Sequence, residues 1–174
     1  VWDRHPEEAR RGLDDLKLLT KGALAEMRTL LLELRPASLM EKTLGELLHQ
    51  LGGAAACRTR TPVIVEIDSD CRLPDEVQVT LYRVAQEALH NIIKHAQATE
   101  IKVRLVCDEQ DVALKICDNG RGFEGNASAT SGMGLQIMRE RVRAIHGQLR
   151  IDSSQAGTTV EVHWARQHWK KCQA

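Results

Sequence analysis

Two runs of this chain, Glu100 to Cys107 and Val112 to Asp118, alternate apolar with polar side chains and are parted only by the acidic turn Asp108-Glu-Gln-Asp111. A period of two puts every second residue on one face of a pleated strand. Paired, the runs make a ribbon with one apolar face, and such a ribbon is stable only when something apolar covers it. Helices nearby in sequence can supply the cover. Pro74 opens a helical pattern that reaches about Ala96, and another runs from about Leu135 to His146 and stops at Gly147. Strand composition recurs at Pro62 to Asp68, Leu149 to Ser153 and Thr158 to Trp164, and a shorter helix, loosened by Gly52 and Gly53, spans Leu44 to Cys57. Strand pairs with long helices between them predict an α+β fold, a two-layer α/β sandwich whose mixed sheet is mostly antiparallel.

Ahead of this sandwich, Pro6 to Arg35 reads as one long helix closed by Pro36. Its Leu13, Leu16, Thr20, Ala23, Met27, Leu30 and Leu34 recur in steps of three and four, the seam of a coiled coil or helical bundle. Such a helix wants a partner helix. The expected division is a partner-seeking helix over 1–36, a connecting helix over 37–61, the sandwich over 62–165 and a basic, solvated tail over 166–174. Lys and Arg number 24 and so do Asp and Glu, so no overall field draws the chain to nucleic acid or an anionic membrane, and any phosphate site must be local. No run approaches the roughly 18 apolar residues of a membrane helix. The chain opens on Val1, neither an initiator Met nor a signal peptide, and is expected to be an internal, cytoplasmic piece whose parent could carry an anchor elsewhere. Cys57, Cys71, Cys107, Cys117 and Cys172 show no C-x-x-C pair and are expected to be reduced thiols without chemistry.

Four short motifs carry the chemistry. On the long helix, Gln86-Glu-Ala-Leu-His-Asn-Ile-Ile-Lys-His95 sets Glu87, Asn91, Lys94 and His95 within an arc of roughly 100°, with Leu89, Ile92, Ile93 and Ala96 opposite. An amide oxygen one turn from a carboxylate suits Mg²⁺, and Lys94 a turn further can meet a phosphate; a solvated helix face would look the same. In Asp118-Asn-Gly-Arg-Gly-Phe123 a strand ends in a carboxylate followed by glycines. Alone it reads as a turn, yet a buried Asp can accept from an exocyclic amine while Gly120 and Gly122 let a flat base approach. Gly132-Met-Gly-Leu135 opens a helix, where backbone N–H groups bind phosphate without a cation. Gly157-Thr-Thr159 enters the last strand, where hydroxyls can sit beside Asp118.

In this order the four motifs resemble the N box and three glycine boxes of the ATPase superfamily that includes gyrase, the Hsp90 chaperones, histidine kinases and the MutL proteins. Leu81-Tyr-Arg-Val-Ala-Gln-Glu-Ala-Leu-His-Asn-Ile-Ile-Lys-His-Ala96 looks specifically like the histidine kinases that pair with LuxR-type response regulators. The resemblance implies ATP and Mg²⁺ as cofactors, with Asn91 the Mg²⁺ ligand and Glu87 at the position of the water-activating base of related ATPases. Lys94 and His95 would face the phosphates, Asp118 the adenine amine, and Gly120 and Gly122 the base and lid hinge. Gly132, Met133, Gly134 and Leu135 would frame the phosphates, Thr158 or Thr159 would lie beside Asp118, and Glu124 to Ser131 would be a short ATP lid.

Leu30-Leu-Leu-Glu-Leu-Arg-Pro36 resembles the end of the second helix of that family's dimerisation and phosphotransfer hairpin. The family's phosphoacceptor His precedes an acidic residue, whereas His5 precedes Pro6 and none of the other six histidines precedes Asp or Glu. The resemblance therefore implies transfer of the γ-phosphoryl of Mg-ATP to a histidine on a helix this fragment lacks, then to a response-regulator aspartate, in a parent that dimerises through the hairpin. Two rivals share these residues. One is an ATPase or anti-sigma-type protein kinase with the same pocket, and the other a degenerate dimerisation scaffold that binds no nucleotide.

Overall fold

The computed structural model describes Thr20 and residues 41–59, 61–123 and 133–166. Apart from Thr20, the long helix expected over Pro6 to Arg35 lies outside the described residues, as do Gly132, the expected lid over Glu124 to Ser131 and the tail beyond Arg166.

Helix α1, Leu44–Thr59, starts at a reciprocal cap: Thr43 Oγ1 accepts from the Glu46 N–H at 3.3 Å and Glu46 Oε2 from the Thr43 N–H at 2.9 Å. Gly52 and Gly53 do not loosen it. Gly52 is buried, and a Cβ there would lie 2.6 Å from Val65 Cγ2, so this glycine is where the helix presses onto the first strand. Strand β1 is Val63–Ile67. Helix α2 is Asp75–Asn91, opened by Pro74 with φ −56° and by Asp75 and Glu76 in the first turn, where carboxylates favour the helix dipole. The helix does not run on evenly to Ala96. From Ile92 to Ala96 it widens into a π turn, which ends at Gln97 in the left-handed region with φ 54°.

Strands β2, Ile101–Cys107, and β3, Asp111–Asp118, form the expected antiparallel ribbon, from Ile101 opposite Asp118 to Cys107 opposite Val112. At the turn, the Asp111 and Gln110 N–H groups donate to Asp108, holding its carboxyl below the usual carboxylate range. Helix α3, Met133–Ala144, and strands β4, Gln148–Ser154, and β5, Gly157–Ala165, complete the fold. The sheet order is β1-β2-β3-β5-β4, parallel only between β1 and β2.

The alternation decides the layers. Ile101, Val103 and Leu105, Val112, Leu114 and Ile116, and Val160, Val162 and Trp164 are buried on one face, while Lys102, Arg104, Lys115 and His163 are exposed on the other. The α1 leucines and Val77, Leu81, Tyr82, Val84 and Leu89 of α2 cover the buried face, together with Met138, Val142 and Ile145. The buried Trp164 donates its indole N–H to the Ile145 carbonyl at 3.1 Å, so its polar edge is satisfied.

The expectation of unpaired thiols fails at one pair: Cys71 and Cys107 are joined as a disulfide, whereas Cys57 and Cys117 remain free. Sequence spacing could not show this. The parallel register sets Ile67 beside Leu105, so the loop after β1 carries Cys71 to the end of β2.

Candidate nucleotide-binding site

The site gathers where β3 ends, α2 turns π-helical and α3 begins. Asp118 closes β3 on the helix-covered face and is only 9% exposed. Its Oδ1 accepts the Gly120 N–H at 2.8 Å, while its Oδ2 is buried and finds no hydrogen-bond partner among the described residues. A buried carboxylate oxygen left unpaired costs stability, and the orphan oxygen is an acceptor available to a donor from outside the chain.

Three glycines shape the surroundings by close approach. A Cβ on Gly120 would lie 2.3 Å from the Ala96 carbonyl oxygen, one on Gly157 2.0 Å from the Asp118 carbonyl oxygen, and one on Gly134 1.9 Å from Glu87 Oε1. The first two are backbone contacts that no side chain can relieve. The third sets the start of α3 against the carboxylate of α2. Gly157, at φ 126°, and Gly122, at φ 56°, also occupy backbone regions that side chains disfavour.

On α2, the Asn91 amide nitrogen lies 3.4 Å from Glu87 Oε1. With that nitrogen turned to the carboxylate, the amide oxygen is left for a cation. Among the described residues no cluster of three or more His, Cys, Asp or Glu could hold a metal. This donor set fits Mg²⁺, which binds through one or two protein oxygens plus the phosphates of its substrate. Lys94 and His95 lie on the π turn that follows Asn91, with exposed side chains.

The two threonines part company. Thr159 is opposite Cys117 and its hydroxyl lies 3.5 Å from that sulfur, on the open face. Thr158 follows the alternation onto the Asp118 face, where its hydroxyl pairs with Ser153 Oγ at 3.0 Å. Of the last motif's hydroxyls, only that of Thr158 shares the face of Asp118. Leu135 is half-buried against the core, and Met133 supplies the first backbone position of α3.

Three residues of the site were not singled out from sequence. Asn119 Oδ1 accepts from the Thr99 and Glu100 N–H groups, each at 2.9 Å, clamping the end of β3 to the start of β2. Arg121 donates its backbone N–H to the Ala96 carbonyl and its Nε–H to the His95 carbonyl, each at 2.8 Å. Ser153 accepts the Phe123 N–H at 2.9 Å, fixing the chain where the expected lid would begin. Asn119 and Arg121 stand inside a motif already marked, but sequence alone gives their side chains no role there.

A helix-backed sheet with a buried acidic acceptor, unpartnered among the described residues, at one strand end, and a carboxylate and amide pair on the adjoining helix, makes a candidate nucleotide-binding sandwich. Comparison with known proteins names it: residues 76–168 match the family described as Histidine kinase-, DNA gyrase B-, and HSP90-like ATPase, and the chain belongs to that family. It is 38% identical over 156 residues to the sensor histidine kinase MctS of Rhizobium johnstonii, covering 86% of this chain and 32% of that protein. It is 34% identical over 148 residues to the sensor protein VraS of Staphylococcus saprophyticus, covering 84% of this chain and 42% of that one. The chain thus spans about a third to two fifths of these relatives. Among solved structures, the histidine kinase domain of the Erythrobacter litoralis EL346 blue-light activated histidine kinase shares the fold with a TM-score of 0.59 at 20% identity, over 72% of this chain and 63% of that one. Full-length ShkA in complex with AMPPNP does so with a TM-score of 0.56 at 17% identity, over 68% and 29%.

Proposed function

We propose that this chain binds Mg-ATP as the catalytic portion of a two-component sensor histidine kinase, and that its parent transfers the γ-phosphoryl to a histidine of a dimerisation helix for relay to a response-regulator aspartate. The observation that carries the reading is the buried Oδ2 of Asp118, without a hydrogen-bond partner among the described residues, beside the end of the helix that carries Glu87 and Asn91. An acceptor in that setting matches the exocyclic amine of adenine. The likeness to ShkA, whose structure holds AMPPNP, supports the same ligand class. Asn91 would take Mg²⁺ through its amide oxygen, with Glu87 holding the amide nitrogen, and the ion would neutralise charge on the phosphates. Phosphoryl transfer asks mainly for positioning and charge neutralisation. Lys94 and His95 stand at the helix end as donors for phosphate oxygens, and Gly132 to Leu135 would frame the same groups.

The run from Leu81 to Ala96 supports pairing with a LuxR-type regulator, and the seam before Pro36 supports a dimer built through a hairpin. On this reading 1–36 is the second hairpin helix, 37–61 the connector, 62–165 the ATP-binding unit and 166–174 a tail. Calorimetry tests the pocket. Mg-ATP should bind wild type, Asp118→Ala should abolish binding, and Asn91→Ala should retain nucleotide but lose its dependence on Mg²⁺. No heat from wild type at millimolar Mg-ATP would overturn the proposal, and steady hydrolysis without a histidine-bearing partner would favour a plain ATPase.

A further inference from the structure

We propose that Cys71, Cys107 and Arg166 form a redox modification site that takes a peroxide as its oxidant. The site is at the end of the sheet opposite Asp118, because β2 runs from Ile101 beside Asp118 to Cys107. It does not depend on nucleotide binding.

The two cysteines are presented to each other by hydrogen bonds that do not involve the S–S bond. Ser69 Oγ accepts the Cys107 N–H at 3.0 Å and donates to the Cys107 carbonyl, and the Asp68 N–H donates to the Leu105 carbonyl at 3.0 Å. These contacts hold the loop after β1 against the end of β2. The Cα atoms of Cys71 and Cys107 are 6.1 Å apart, a separation a disulfide spans without moving the backbone. The pair therefore remains in place when reduced.

The third member supplies the chemistry. Arg166 Nη2 lies 2.7 Å from Cys71 Sγ and 3.5 Å from Cys107 Sγ. Its backbone N–H donates to the Gln110 carbonyl at 2.7 Å, and its Nε is buried without a hydrogen-bond partner among the described residues. A guanidinium against sulfur favours thiolate over thiol, and the thiolate is the nucleophile. Asp108 is the acidic group that also feels Arg166. Cys71 is half-buried and Cys107 only 6% exposed, so the roles divide. The Cys71 thiolate attacks a peroxide oxygen and breaks the O–O bond, leaving a sulfenic acid and, after protonation, one water. The Cys107 sulfur then attacks the Cys71 sulfur and expels the hydroxyl as a second water, so two thiols and one hydrogen peroxide give one disulfide and two waters. A dithiol reductant restores the pair.

The test starts from the reduced chain and adds hydrogen peroxide, with intact mass and peptide mapping as the readout. The expected result is loss of two hydrogens mapped to Cys71 and Cys107, reversed by dithiothreitol, before Cys57 or Cys117 reacts. Cys107→Ala should stop at a sulfenic acid on Cys71 that dimedone captures, and Arg166→Gln should slow oxidation several-fold, because the guanidinium that favours the thiolate is gone. Oxidation of Cys71 no faster than of Cys117, or an unchanged rate in Arg166→Gln, overturns the proposal. The Arg166→Gln comparison decides the matter even if Cys107→Ala fails to fold.

Discussion

Asp118→Asn should separate ligand binding from stability, because the two carboxylate oxygens have different jobs. Oδ1 accepts the Gly120 N–H at 2.8 Å, and an amide oxygen of the same shape can keep that bond. Oδ2 is buried with no partner among the described residues, and the substitution puts an amide NH₂ there, which on the proposed reading is a donor facing the amine donor of adenine. A hydrogen bond to a charged acceptor contributes about 1.5–3 kcal/mol, so at 1.4 kcal/mol per decade ATP affinity should fall about 10- to 150-fold. Without nucleotide the balance reverses. A neutral amide costs less to bury than an unpaired carboxylate oxygen, so the melting temperature should hold or rise, at about 4 °C per kcal/mol for a domain of this size. Titration calorimetry with ATP and scanning calorimetry of the apo protein measure both. ATP affinity within about threefold of wild type, or an apo melting temperature lower by more than about 4 °C, would refute the reasoning and make Asp118 a structural acid.

Gly120→Ala should destabilise the domain by about 1–3 kcal/mol and weaken ATP binding, since its Cβ would meet the Ala96 carbonyl oxygen at 2.3 Å; thermal melts and ATP titration check both. Gly52→Ala should lower the melting temperature by a few degrees, the crowding of Val65 outweighing about 1 kcal/mol of helix propensity, and should leave ATP affinity unchanged. In a Val65→Ala background the same change should cost less, a coupling that a double-mutant cycle reads directly. Arg121→Gln should weaken ATP binding several-fold with little loss of melting temperature, because the backbone N–H bond to Ala96 survives, and Arg121→Lys should restore most of it by reaching the His95 carbonyl.

Most of the layer order was legible because burial on one face leaves a period in the sequence. The β2 and β3 ribbon, the α2 pattern and the glycine after α3 all follow from alternation, helical spacing and stop signals. What the sequence hides is contact between distant segments. Gly52 looks like a helix weakness until β1 is laid against it, and Cys71 and Cys107 look unrelated until the parallel register aligns the ends of β1 and β2. The same holds within the candidate site. The aspartate and the glycines declare themselves by type and order, whereas the sorting of Thr158 from Thr159 needs the β3 and β5 register, and the clamp of Asn119 needs the β2 start beside it.

The π turn is the clearest case, and it bears on how the site works. A wheel drawn at constant pitch runs an even α-helix on to Ala96; the structure instead widens from Ile92 and leaves the carbonyls of His95 and Ala96 at the helix end. Orphan carbonyls at a helix end need donors. Both are supplied by Arg121, the residue after Gly120, whose lack of a side chain allows the close approach. The segment that carries Asp118 is thus bolted to the helix that carries Asn91 by the bonds that satisfy the π turn. On the proposed reading, the adenine and magnesium ends of the nucleotide are held at a fixed separation by backbone, which is why loosening Arg121 should weaken binding of the whole nucleotide more than it weakens the fold.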